Sequence, residues 1–202
     1  MHVLVMESSP GVAREAIGDL ERAGHHVHRC HEAGDRPFPC SGLATGDCPL
    51  EHAAIDVVVT VRDRPRATPS PIEDGVACAL RRRVPVVVSG QSLMNPFEEH
   101  GAVAIDGDVV TACESVMRGP QAGHTAQAQE ALDELLALHG CDPGSGAVTV
   151  RRVENRLEVR MTVDPSVPQP IRRMAAVRIT GGLRAYDPYA AGIDVSCEES
   201  ET

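Results

Sequence analysis

The opening of the chain switches between two kinds of apolar pattern. Residues 3 to 6 form a continuous apolar run ending at Glu7, and Ser8-Ser9-Pro10-Gly11 then opens a stretch in which Val12, Ala13, Ala16, Ile17 and Leu20 recur at helical spacing until Gly24. His26 to Cys30 reads as a short strand and Ile55 to Val61 as a longer one. The longer run is continuous rather than alternating, which predicts a strand covered by helices on both faces. Ser70-Pro71-Ile72-Glu73 combines a capping-box Ser and Glu with Pro at the first helical position, and predicts a helix to about Arg83. Arg81, Arg82 and Arg83 then fall at its carboxyl end, where positive charge complements the helix dipole. Val84 to Val88 and Ala102 to Ile105 are further strands, and Val109 to Met117 is a helix after the Asp106-Gly107-Asp108 turn.

Strands alternating with helices predict an α/β domain over residues 1–118: a doubly wound, mostly parallel, flavodoxin-like sheet. The connector Gly119 to Thr125 marks a change of pattern. Beyond it come a helix from about Ala126 to Leu138 and a hairpin in which Val148 and Val150, then Leu157, Val159, Met161 and Val163, alternate with polar residues around a Glu154-Asn155 turn. A helix bearing Ile171, Met174, Ala175 and Val177 and an alternating strand through Ile193, Val195 and Cys197 complete a small ferredoxin-like α+β domain over residues 126–198.

Composition narrows the chemistry. All 19 basic residues are Arg, so there is no Walker lysine, no Schiff-base lysine and no Ser-Lys dyad. A net charge of -10 repels phosphate backbones, and two Phe, two Tyr and no Trp leave no stacking platform for bases, so nucleic acid is not an expected partner. The start of the chain has no basic n-region followed by a long apolar core, and no run reaches the ~18 apolar residues of a membrane span. A cytoplasmic protein with no membrane contact is the expectation. Its seven cysteines are then expected as thiols or ligands, and the Arg-only, Ala-rich usage fits a bacterial source.

Ligand-type side chains concentrate in one stretch. Cys30, Cys40 and Cys48 lie between His25 and His52, together with His26, His28 and His31. Such groups bind zinc or an iron-sulfur cluster, or act as a thiol-redox sensor, and Cys30, His31, Cys40, Cys48 and His52 form the candidate metal set. The cysteines are ten and eight positions apart, unlike the close pairs of structural zinc sites, so a long solvent-facing loop is the competing reading. A second candidate site is the rim formed by the carboxyl ends of the strands, where α/β sheets bind ligands. It gathers Glu7, Ser8 and Ser9 from the first strand, Arg62, Asp63 and Arg64 from the third, and Ser89, Gln91 and Ser92 from the fourth. Ser8, Ser9 and Gly11 at a helix start, with Arg62 or Arg64, also offer donors for a phosphate. No G-x-S-x-G or G-x-G-x-x-G pattern accompanies them, and catalysis is not expected.

Val3-Leu4-Val5-Met6-Glu7-Ser8, Asp56-Val57-Val58-Val59-Thr60-Val61 and Pro85-Val86-Val87-Val88-Ser89 resemble the first, third and fourth strands of bacterial response-regulator receiver domains. The resemblance implies a phosphotransfer site with an acidic pair after the first strand, an acceptor Asp ending the third and a Lys near the fifth. Here Glu7 is followed by Ser8, the acceptor position falls on Val61 with Asp63 two residues on, and there is no Lys. What it implies for this chain is therefore a receiver-like scaffold without phosphotransfer: a non-catalytic regulatory or interaction module whose partner is another protein, a small ligand or a second copy. A metal-binding or thiol-redox sensor centred on residues 25–52 is the alternative.

Overall fold

The computed structural model describes residues 1–31, 38–90, 95–100, 102–105, 107–119, 121–153 and 156–199. Gln91, Ser92, Asp106 and the Glu154-Asn155 turn lie outside the described residues. The chain divides into two compact units, Met1–Met117 and Arg118–Thr202.

The first unit is a five-stranded, all-parallel sheet with helices between the strands. Its strands are β1 (His2–Glu7), β2 (His26–Arg29), β3 (Val57–Arg62), β4 (Val86–Gly90) and β5 (Val103–Ile105), in the order β2-β1-β3-β4-β5. Every residue of β3 is buried, as its continuous apolar pattern requires. Leu4, Met6, Val58, Val76, Ala79, Val86 and Val88 pack on one face of the sheet. On the other, Val3, Val5, Ile17, Leu20, Val57, Val59, Val87 and Cys113 join α1 (Arg14–Arg22) to the sheet.

The described residues between 38 and 54, in a stretch aperiodic in sequence, include the short helices α2 (Ser41–Thr45) and α3 (Pro49–His52). Each is about one turn long, too short for a 3.6-residue period to register. The helix expected from Ser70 to Arg83 is instead a 3-10 turn at Pro71–Glu73 followed by α4 (Gly75–Arg81). The Glu73 half of its capping box forms as expected, with the Ser70 N–H donating to Glu73 Oε2 at 2.8 Å. Arg82 does more than complement a dipole: it donates to Leu50 O at 2.7 Å and Glu51 Oε1 at 3.0 Å, tying α4 to α3. At the end of β4, Gly90 has φ 91°, and a Cβ there would stand 2.2 Å from Arg62 O. Only glycine fits so close an approach to the neighbouring strand. The unit closes with α5 (Val109–Arg118).

The second unit packs α6 (Ala122–Leu138) and α7 (Gln169–Tyr186) on a mixed three-stranded sheet of β6 (Gly146–Val153), β7 (Arg156–Val163) and β8 (Gly192–Glu199). Alternating burial along β6 and β7 matches the expected one-faced hairpin. Two expectations are corrected. Ala122 to Thr125, read as connector, are helical because this turn is held on β6: the Gln121 N–H donates to Val150 O at 2.7 Å. Thr125 Oγ1 then accepts from Val150 N–H at 3.1 Å, and Gln129 Oε1 from Val148 N–H at 2.9 Å. And β8 pairs directly and in parallel with β7, so the β7-α7-β8 crossover is unsplit, whereas a ferredoxin-like arrangement interleaves a strand there.

Candidate functional site

The carboxyl ends of β1 and β3 meet where the chain leaves β1 for α1, and the strand order reverses at this point. The polar groups expected there are present, but they bind one another. Glu7 Oε2 accepts from the Gly11 N–H at 2.8 Å and the Ala13 N–H at 3.3 Å. Ser8 and Ser9 donate to opposite oxygens of Asp63, at 2.8 and 3.0 Å, and Ser8 Oγ accepts in turn from the Asp63 N–H at 3.1 Å. The Ser8 hydroxyl, then that of Ser9 and the charge of Arg64, hold the Asp63 carboxyl below its ordinary range against a smaller opposing effect of desolvation. The donors that a phosphate would use at this helix start are thus occupied by carboxylates of the protein itself, which corrects the phosphate-binding expectation.

Ser8 carries a direct test. Replacing it with Ala removes the largest cause of the lowered Asp63 pKa, so a carbon-detected NMR titration should show the Asp63 carboxyl moving up toward the free-aspartate value. An unmoved titration would mean that the Ser8 contact does not form in solution.

Arg62 is withdrawn from the rim into the protein. Its side chain is fully buried, with Nε 3.1 Å from Glu73 Oε1, and its terminal nitrogens donate to Arg66 O at 2.9 Å and Thr68 O at 3.1 Å. Glu73 also accepts from Thr60 Oγ1 at 2.8 Å. This corrects the expected rim role of Arg62: its guanidinium pins the loop after β3 to the start of α4. Glu73 was legible in sequence as a capping residue, but nothing in its spacing announces a buried counter-charge eleven positions from Arg62. Ser89 lies buried at the end of β4, beside Val61 and Ile105 in register.

The candidate metal ligands come from a strand end, the starts of two short helices and the last turn of the second. The Cys30 thiol is buried in the core, where Gly75 passes so near that a Cβ on it would stand 3.1 Å from Cys30 Sγ. Cys40 and Cys48 stand at the N-cap positions of α2 and α3 without a side-chain capping hydrogen bond, and His52 Nε2 stands 3.0 Å from Gly46 O. His31 borders a pocket of about 80 Å³ with Glu7, Arg14, Arg29, Cys30 and Ile72, large enough for a few water molecules. Among the described residues, no three His, Cys, Asp or Glu side chains are grouped to hold a metal ion. Burial, then the neighbouring thiols of Cys48, Cys40 and Cys78, push the Cys30 thiol up to about 12. With no metal bound, such a thiol stays protonated at neutral pH and is a poor nucleophile.

Sequence reading also missed a buried network in the second unit. His124 Nε2 lies 3.0 Å from Asp187 Oδ2, and Arg152 donates to the same oxygen. Asp187 Oδ1 accepts from the N–H groups of Tyr189 at 3.1 Å and Ala190 at 3.2 Å. His124, Arg152 and Asp187 are all buried and come from three separate elements, so no local motif could reveal them. Among the described residues, no helix is long and apolar enough to cross a membrane. No protein-family model matches the chain, and no curated protein matches it either.

Proposed function

We propose that the chain is a regulatory or protein-interaction module built on a receiver-like, flavodoxin-like sheet that does not carry out phosphotransfer. The observation that carries this reading is the state of the β1–β3 rim. Asp63 sits beside the first-strand loop, yet both its oxygens are engaged by Ser8 and Ser9, and Glu7 is turned onto the backbone of its own loop. The strand order β2-β1-β3-β4-β5 supports the scaffold half of the reading. The missing lysine and the Val at position 61 support the loss of chemistry. The thiol-sensor alternative has less support, because Cys30 is buried and its thiol is held protonated, which makes it a poor nucleophile.

Incubation with acetyl phosphate and magnesium tests the proposal. The intact mass of the protein should stay unchanged over a time course that fully labels an active receiver domain run in parallel. A stable gain of one phosphoryl group on Asp63 or Glu7 would refute the reading.

A further inference from the structure

Where β1 and β2 end side by side, the chain encloses the hollow of about 80 Å³ that His31 borders. Its apolar lining comes from Val5 and Met6 at the end of β1, Ile17 of α1 and Ile72 of the 3-10 turn before α4. Its charged lining is Glu7, Arg14 and Arg29. Because α1 begins at Arg14, Arg14 and Ile17 are three positions apart and share the helix face that borders the hollow. Gly11 turns the corner before α1 with φ 83°, and Arg14 Nη2 lies 3.9 Å from where a Cβ on this glycine would stand. Neither the Arg14 nor the Arg29 guanidinium has a hydrogen-bond or ion-pair partner among the described residues. Glu7, by contrast, has Oε2 engaged by the Gly11 and Ala13 N–H groups.

We propose that this hollow binds a short aliphatic monocarboxylate, its carboxylate held by Arg14 and Arg29 and its hydrocarbon set against Met6, Ile17 and Ile72. Three features select this class. A guanidinium presents N–H donors in a planar fork that matches the two oxygens of a carboxylate, and hydrogen bonds between charged partners are the strong ones. Two arginines against one glutamate leave a surplus of a single positive charge, which complements a monoanion better than a phosphate dianion. The Glu7 carboxylate also repels a second anionic group on the ligand, so a dicarboxylate is disfavoured. Size sets the chain length: at ~10–15 Å³ for each water-sized body, the hollow of about 80 Å³ admits roughly six non-hydrogen atoms, as many as butyrate has. An apolar lining with a few convergent polar groups is the usual composition of a small-molecule site. The site uses none of Ser8, Ser9 and Asp63, so it stands or falls apart from the loss of phosphotransfer at the β1–β3 rim.

Saturation-transfer NMR of the full chain with sodium butyrate tests the site. Transfer to butyrate should saturate at about millimolar concentration, the range expected of so few atoms, and the methyl signals of Met6, Ile17 and Ile72 should shift with it. Arg14→Gln and Arg29→Gln should each weaken binding by about tenfold, since each removes a charged hydrogen-bond donor. Both arginines are exposed, so the changes spare the fold, and unchanged amide spectra of β3 and β4 check this. Arg173→Gln, on α7 of the second unit, should bind as the parent does. Butyramide, the uncharged isostere, should give no saturable transfer, and inorganic phosphate at equal concentration should not displace butyrate. The proposal is overturned if butyrate shows no saturable transfer, if butyramide binds equally well, or if phosphate displaces butyrate at equal concentration. Parental affinity in both Arg14→Gln and Arg29→Gln, or an equal loss in Arg173→Gln, would overturn it as well.

Discussion

Replacing Glu73 with Gln lowers the stability of the first unit by about 3–5 kcal/mol, the range for breaking one half of a buried ion pair. The Arg62 side chain is fully buried against the Glu73 carboxylate. Gln can keep its amide oxygen on the Ser70 N–H, with its NH2 group turned to donate to Thr60 Oγ1, so the Ser70 contact of the capping box survives. What it cannot supply is the negative charge, and a guanidinium held in a medium of low polarity without its counter-charge is strongly disfavoured. Hydrogen exchange of the β3 and β4 amides, read by mass spectrometry, reports on this unit alone. Those amides should exchange faster in the Gln variant by the factor that the lost free energy implies. A double change, Arg62→Met with Glu73→Leu, removes both charges and should regain most of the loss. If the single variant exchanges at the parental rate, the pair does not hold the unit together.

Asp187→Asn is expected to cost the second unit a similar ~3–5 kcal/mol, because it removes the carboxylate facing buried Arg152. The pH dependence adds a second readout. Burial by itself raises the Asp187 carboxyl, but the hydrogen bond to His124 and the charges of Arg152 and His124 outweigh it and hold the group below its ordinary value. A group depressed on folding contributes stability that is fully present above the unfolded aspartate value of ~3.9 and is lost as pH falls through the folded value. Acid unfolding of the parent should therefore steepen below about pH 4, and Asp187→Asn should flatten that limb while lowering the plateau. Urea unfolding of the second unit across this range provides the measurement. A parallel shift of the whole curve would assign the loss to packing rather than to the charge.

What the sequence displays is set by local rules. The continuous run from Ile55 to Val61 could only be a strand with two covered faces, and β3 is buried throughout. Ser70 and Glu73 announced a helix start, and the Glu73 half of the cap forms. The hairpin of the second unit was written in its alternation. Hidden features depend on pairings across long stretches of chain. Arg62 looked like a rim cation because strand ends face solvent by default, and only the fold of residues 63–73 encloses it. His2 and His28 are 26 positions apart and become neighbours solely through the β1–β2 register. The cysteines are conspicuous in sequence because the residue type is rare, yet one of them is core and two stand at the starts of one-turn helices that no sequence period announces.

The hydrogen bonds from β6 to α6 have an effect on what the second unit's sheet can accept. An edge strand ordinarily presents a ladder of unpaired amides to which another chain can add. On β6 those of Val148 and Val150 are already taken by Gln129 and Thr125, so this border is shut by a helix lying along it. Growth of the sheet by strand addition is left to the far border, β8, which carries Asp194 and Glu198, each paired with an arginine of β7. Two copies of the chain that brought their β8 strands together would join these ion pairs into one charged face across the extended sheet.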